Sequence, residues 1–98
     1  MLFTKVHKSY RSVVAICDKE LLGKIFEEGK KQLEVSENFF KGEEMSAEEA
    51  VKLMHDQARE DASFNIVGNE AIDAAQKAGI ADKDSVGNVQ GIPIILVF

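Results

Sequence analysis

Gly91-Ile92-Pro93-Ile94-Ile95-Leu96-Val97-Phe98 closes the sequence as an apolar run. It is far shorter than the about 20 residues a helix needs to span a bilayer, and it is rich in β-branched side chains, so it reads as a strand. An apolar strand left as an open edge invites aggregation, so this one has to be paired and covered. Pro93 has no amide to donate, which places the start of the strand where no ladder bond is required. The rest of the chain must therefore supply its partner strands and the helices above them.

Leu2 to His7 and Ser12 to Cys17 are β-prone segments joined by Lys8-Ser9-Tyr10-Arg11, which predicts an N-terminal hairpin. Asp18 is placed to cap a short helix carrying Leu21, Leu22, Ile25 and Phe26 on one face and ending at Gly29. Gln32 to Val35 suggests a further strand, followed by a loop through Asn38-Phe39-Phe40-Lys41-Gly42. Ser46-Ala47-Glu48-Glu49 has the form of a capping box, in which the Ser46 hydroxyl accepts the Glu49 amide and the Glu49 carboxylate accepts the Ser46 amide. It opens a helix to about Asp61, with Ala50, Val51, Met54 and Ala58 on the core side, Leu53 at the margin and His55 flanking it. Ser63 to Val67 reads as a strand, Gly68-Asn69 as a turn and N-cap, and Glu70 to Ala78 as a third helix stopped at Gly79. Val86 to Val89 is a short strand or turn leading into the terminal strand. The expected architecture is α+β: one domain, a mixed sheet containing the hairpin and the C-terminal strand, and three helices covering it.

A chain of 98 residues has material for one core only. Its composition, 45% hydrophobic and 30% charged, excludes wholesale disorder. The single cysteine, Cys17, has no internal disulfide partner, and Met1 to Lys5 lacks the basic region and apolar core of a signal peptide; a reducing cytoplasmic location and no membrane association are expected. The net charge of -5 argues against nonspecific nucleic-acid binding, yet residues 1 to 31 carry seven bases against four acids, and the remainder five against thirteen. A local basic surface can survive on this acidic chain.

Three places carry chemistry. Lys5, Lys8, Tyr10 and Arg11, with Lys41 further on, combine cations with a ring that can stack on a base, the pattern of a noncatalytic module for RNA or a ribonucleoprotein. Alternation along a strand would send some of these to opposite faces. The second place is the Phe64 to Glu70 strand, turn and helix start, where Asn65, Gly68 and Asn69 could direct amides to an anion or small ligand, approached by Cys17 and Asp18. It lacks the full dinucleotide and phosphate-loop patterns. The third is a protein-binding surface built on Phe39-Phe40 or on a terminal strand edge. Cys17 ends an apolar segment and is expected to be buried and structural. No catalytic constellation, cofactor motif or metal-ligand spacing involving His7 or His55 is visible.

Val6-His7-Lys8, Cys17-Asp18-Lys19-Glu20-Leu21-Leu22-Gly23, Phe39-Phe40-Lys41-Gly42, Asn65-Ile66-Val67-Gly68 and Gly91-Ile92-Pro93, in this order, resemble the archaeal domain of unknown function family 424 over nearly the whole chain. The resemblance implies an archaeal source, one compact domain and a role near translation, with no established activity. Members of that family often continue Gly-Val-Pro with His-Ala-Gln, where this chain has Ile94-Ile95-Leu96. No role of that histidine transfers to Ile94.

Overall fold

The computed structural model describes residues 1–98 and is built on a six-stranded sheet. β1 (Leu2–His7) and β2 (Val13–Asp18) form the N-terminal hairpin, with Leu2 opposite Asp18 and His7 opposite Val13. The chain then forms a smaller hairpin from β3 (Ile25–Glu28) and β4 (Lys31–Glu34), a single turn of helix α1 (Glu37–Phe40), and β5 (Glu43–Met45) on the outer side of β1. Helix α2 (Ala47–Arg59) leads to β6 (Ser63–Val67), and helix α3 (Asn69–Lys77) leads to β7 (Gly87–Val89) and β8 (Ile92–Val97). The strand order is β5-β1-β2-β6-β8-β7, and only the β2–β6 pair is parallel. This is a mixed sheet in one α+β domain, and the terminal apolar run lies inside it.

Period-two alternation divides the sheet into two unlike faces. Leu2, Val14, Ile16, Phe64, Ile66 and Ile95 point to one face and pack under α2 and α3, against Ala50, Met54, Ala71, Ile72 and Ala75. Phe3, Ala15, Cys17, Val67, Ile94 and Val89 point to the other, under the β3–β4 hairpin and α1, against Leu33, Val35 and Phe40. Three helices cover the sheet as expected, α2 and α3 on one side and the one-turn α1 on the other, where the β3–β4 hairpin joins it. No helix is long and apolar enough to cross a membrane.

Three local expectations are corrected. The helix read from Asp18 to Gly29 is a 3-10 turn at Lys19–Leu21 followed by β3. Gly29 (φ 60°) occupies the first position of the two-residue turn between Glu28 and Lys31, where a glycine lets the strands pair without splaying. Phe26 and Leu33 then face each other across the hairpin, while Ile25 is exposed, the alternation of a strand. The loop at Asn38 to Gly42 begins as α1, because the Ser36 hydroxyl accepts the Phe39 amide at 3.2 Å and nucleates a turn. On α2, Ala50 and Met54 are buried as expected, but Ala58 and His55 are exposed, so the buried stripe ends at Met54.

The capping box at Ser46 is present: the Glu49 amide donates to Ser46 Oγ at 3.2 Å and the Ser46 amide to Glu49 Oε1 at 3.1 Å. Asp18 also caps a helix, but a distant one. It ends β2 on the helix-covered face of the sheet, beside Leu2, and reaches the start of α3.

Candidate functional site

The β1–β2 connection and the end of α2 meet at one edge of the molecule. Ser63 donates its amide to Ser12 O at 3.0 Å, which ties the connection to the start of β6 just after α2 ends. α2 closes with Asp61 donating to Ala58 O and Ala62 donating to Gln57 O, a turn that requires a left-handed residue past the helix end. Glycine is usual there, and this chain has Asp61 at φ 61°. The reason lies across the gap: Arg11 Nε donates to Asp61 O at 2.6 Å, and Arg11 Nη2 lies 3.7 Å from Asp61 Oδ1. Aspartate tolerates the left-handed region better than most side chains and also grips the guanidinium.

Between these segments opens a cleft of about 520 Å³ lined by Lys8, Tyr10, Arg11, Ser12, Gln57, Glu60 and Asp61. The Tyr10 ring stands wholly exposed on its rim. Ser9 Oγ donates to Arg11 O at 2.8 Å and stiffens the connection. Three of the five cation-patch residues read from the sequence, Lys8, Tyr10 and Arg11, therefore share one site. The other two do not join them. Lys5 points to the opposite face of β1, where its ammonium donates to Asn38 O at 2.7 Å, and Lys41 lies exposed just past α1. His7 is engaged there too: its ring stacks on Phe39 with centroids 4.7 Å apart, and its Nε2 sits 2.9 Å from Phe39 O, so that nitrogen carries the proton. Phe40 is buried, so of the aromatic pair only Phe39 retains some exposure.

The turn after β6 is built differently. Gly68 has φ 107° and packs directly on the Asp18 carboxylate, where a Cβ would collide with it. That carboxylate accepts from Glu70 N at 3.1 Å and Ala71 N at 2.7 Å, so the amides that could meet an anion are already met by the chain's own side chain. The N-cap is Gly68, with no side-chain cap of its own, which corrects the expectation that Asn69 caps α3. Asn69 is exposed, and Asn65 lies on the opposite face of the sheet from α3, so Asn65, Gly68 and Asn69 do not converge. Burial raises the Asp18 carboxyl above the ordinary carboxylate range, against the two amides that lower it, with Glu20 and Glu70 nearby adding to the rise. Cys17, fully buried beside it, is pushed up to about 12 by burial first and the Asp18 charge second, which keeps it a thiol.

Gln57, Glu60 and Asp61 were legible in the sequence only as a helix end. The available signal was an absence: a helix stopping at Asp61-Ala62 without the glycine that ends the third helix at Gly79.

The fold has a known counterpart. An uncharacterized conserved protein from Methanopyrus kandleri has a crystal structure that superimposes with a TM-score of 0.89 at 26% identity, over 98% of this chain and 89% of that one. Among curated proteins none matches the sequence. A family model described as "Protein of unknown function (DUF424)" matches residues 7–98, and the chain belongs to that family.

Proposed function

We propose that this protein is a noncatalytic module that binds single-stranded RNA, free or exposed on a ribonucleoprotein, through the β1–β2 connection. The observation that carries this reading is the Tyr10 ring, fully exposed between Lys8 and Arg11 at the rim of a polar cleft. A bare aromatic ring at a loop tip contributes nothing to the core, whereas an unstacked base laid on it contributes about 1–3 kcal/mol. Lys8 and Arg11 supply cations on either side of the ring for the backbone phosphates, within the basic stretch of an otherwise acidic chain. The polar lining suits a nucleotide better than an apolar ligand, since Tyr10 is its one hydrophobic member.

Binding of a short labelled oligouridine strand, followed by anisotropy across about 50 to 200 mM salt, tests this. Each phosphate contact on a single strand contributes about -0.7 to the log–log salt slope, so joint Lys8→Ala and Arg11→Ala substitution should flatten the slope by about 1.4. Tyr10→Ala should weaken binding at least fivefold, by the lower end of the stacking range. Salt-insensitive binding, or affinity unchanged in both variants, would remove the β1–β2 connection as the site.

A further inference from the structure

We propose that the cleft beside Tyr10 selects guanine within the bound strand, with Glu60 reading the base. This rests on the RNA reading above and adds its specificity. Arg11 is held by Asp61 through Nε and Nη2, which leaves its Nη1 for a phosphate. Lys8, Gln57 and Glu60 also line the cleft, and no hydrogen bond or ion pair within the chain uses their side chains. They present one cation, one amide and one carboxylate to the same space.

Glu60 is the residue that follows the last turn of α2, at the negative end of the helix dipole. This corner of the cleft is therefore an acceptor site and favours a ligand edge made of donors. Among the bases, guanine alone has two adjacent donors on its pairing edge, N1–H and N2–H, spaced to meet both oxygens of a carboxylate. Cytosine and adenine each offer one amino group beside an acceptor, and uracil has a single N–H between two carbonyls. Gln57, one turn back on α2, can donate its amide to the guanine O6. Tyr10 stacks the base from the rim, and Lys8 meets the adjoining phosphate. Asp61 supports the arrangement independently. A left-handed aspartate stands where glycine would relieve the backbone, and it fixes the Arg11 guanidinium so that Arg11 does not neutralise Glu60.

The test compares oligouridine with the same strand carrying one central guanine, adenine or cytosine, measured on the wild-type protein and on Glu60→Gln. Glu60 is exposed, so the variant folds, and a matching thermal transition checks it. The guanine strand should bind about tenfold more tightly than the adenine strand. Glu60→Gln exchanges a pair of acceptors for an acceptor and a donor, which matches the edges of adenine and cytosine, so the guanine preference should vanish and the adenine and cytosine strands should gain. Free guanosine monophosphate should bind at least tenfold more weakly than the guanine strand, because it lacks the flanking phosphates. Wild-type binding that is equal across the four strands would overturn the base selection and leave the RNA reading standing. A guanine preference unchanged in Glu60→Gln would overturn the role of Glu60. Free nucleotide binding as tightly as the strand would overturn the strand and assign the cleft to a mononucleotide. Absence of binding to every strand would overturn both proposals.

Discussion

The two long helices begin in opposite ways. α2 closes its own N-terminus with Ser46 and Glu49, three residues apart and open to solvent, whereas α3 begins at a glycine and borrows the buried carboxylate of Asp18, which lies on the neighbouring part of the sheet. The first closure is local and forms whenever the helix forms. The second exists only once β2, β6 and α3 are assembled, so it ties the fold together and at the same time consumes the groups that an anion would use. The open end of α2, by contrast, leaves Gln57 and Glu60 free beside Lys8 and Tyr10.

The sharpest way to break the borrowed cap is Gly68→Ala. The new Cβ would strike the Asp18 carboxylate while φ is held at 107°, and loss of about 3 kcal/mol or more is expected in urea denaturation. Asp18→Ala removes the carboxylate and leaves the Glu70 and Ala71 amides without their acceptor, for a loss of about 2–3 kcal/mol. Ser46→Ala breaks the local cap alone and should cost about 1 kcal/mol. Smallest of all, Asp61→Gly exchanges a left-handed aspartate and an exposed ion pair for a relaxed turn, with stability expected to stay within about 1 kcal/mol of wild type.

The two closures should also respond to pH with opposite sign. The folded chain holds the Asp18 proton to higher pH than the unfolded chain does, so the contribution of Asp18 is most favourable below the unfolded value of about 3.9. It declines as pH rises through the folded value. Glu49 is lowered by its bonds to the Ser46 amide and hydroxyl, so its contribution is present above its unfolded value and is lost as pH falls through the folded one. Urea midpoints of Asp18→Asn and Glu49→Gln measured against wild type from acid to neutral pH should show differences that run in opposite directions. Parallel trends would mean that the two caps are not distinct in kind.

The same contrast explains what the sequence could reveal. The capping box of α2, the strand Ser63–Val67 and the terminal strand are written in neighbouring residues, and all three form where their patterns lie. Asp18 was recognisable as a helix cap, but not the helix it serves, because its partners Glu70 and Ala71 are distant in the chain. Leu21, Leu22, Ile25 and Phe26 fit a helical face, and only the pairing of Phe26 with Leu33 across the Gly29 turn makes this segment a strand. In the candidate site, Lys8, Tyr10 and Arg11 are adjacent in sequence and were legible together. Their companions Gln57, Glu60 and Asp61 enter through tertiary packing, which also draws Lys5 away to α1.

The central claim is that ligand meets the open end of α2 and not the filled start of α3. Backbone amide shifts recorded by NMR during titration with a guanine-containing single strand test it most directly. The account predicts movement at Lys8 to Ser12 and Gln57 to Asp61, with Gly68 to Ala71 still. Movement centred on Gly68 to Ala71, with the β1–β2 connection unmoved, would contradict it.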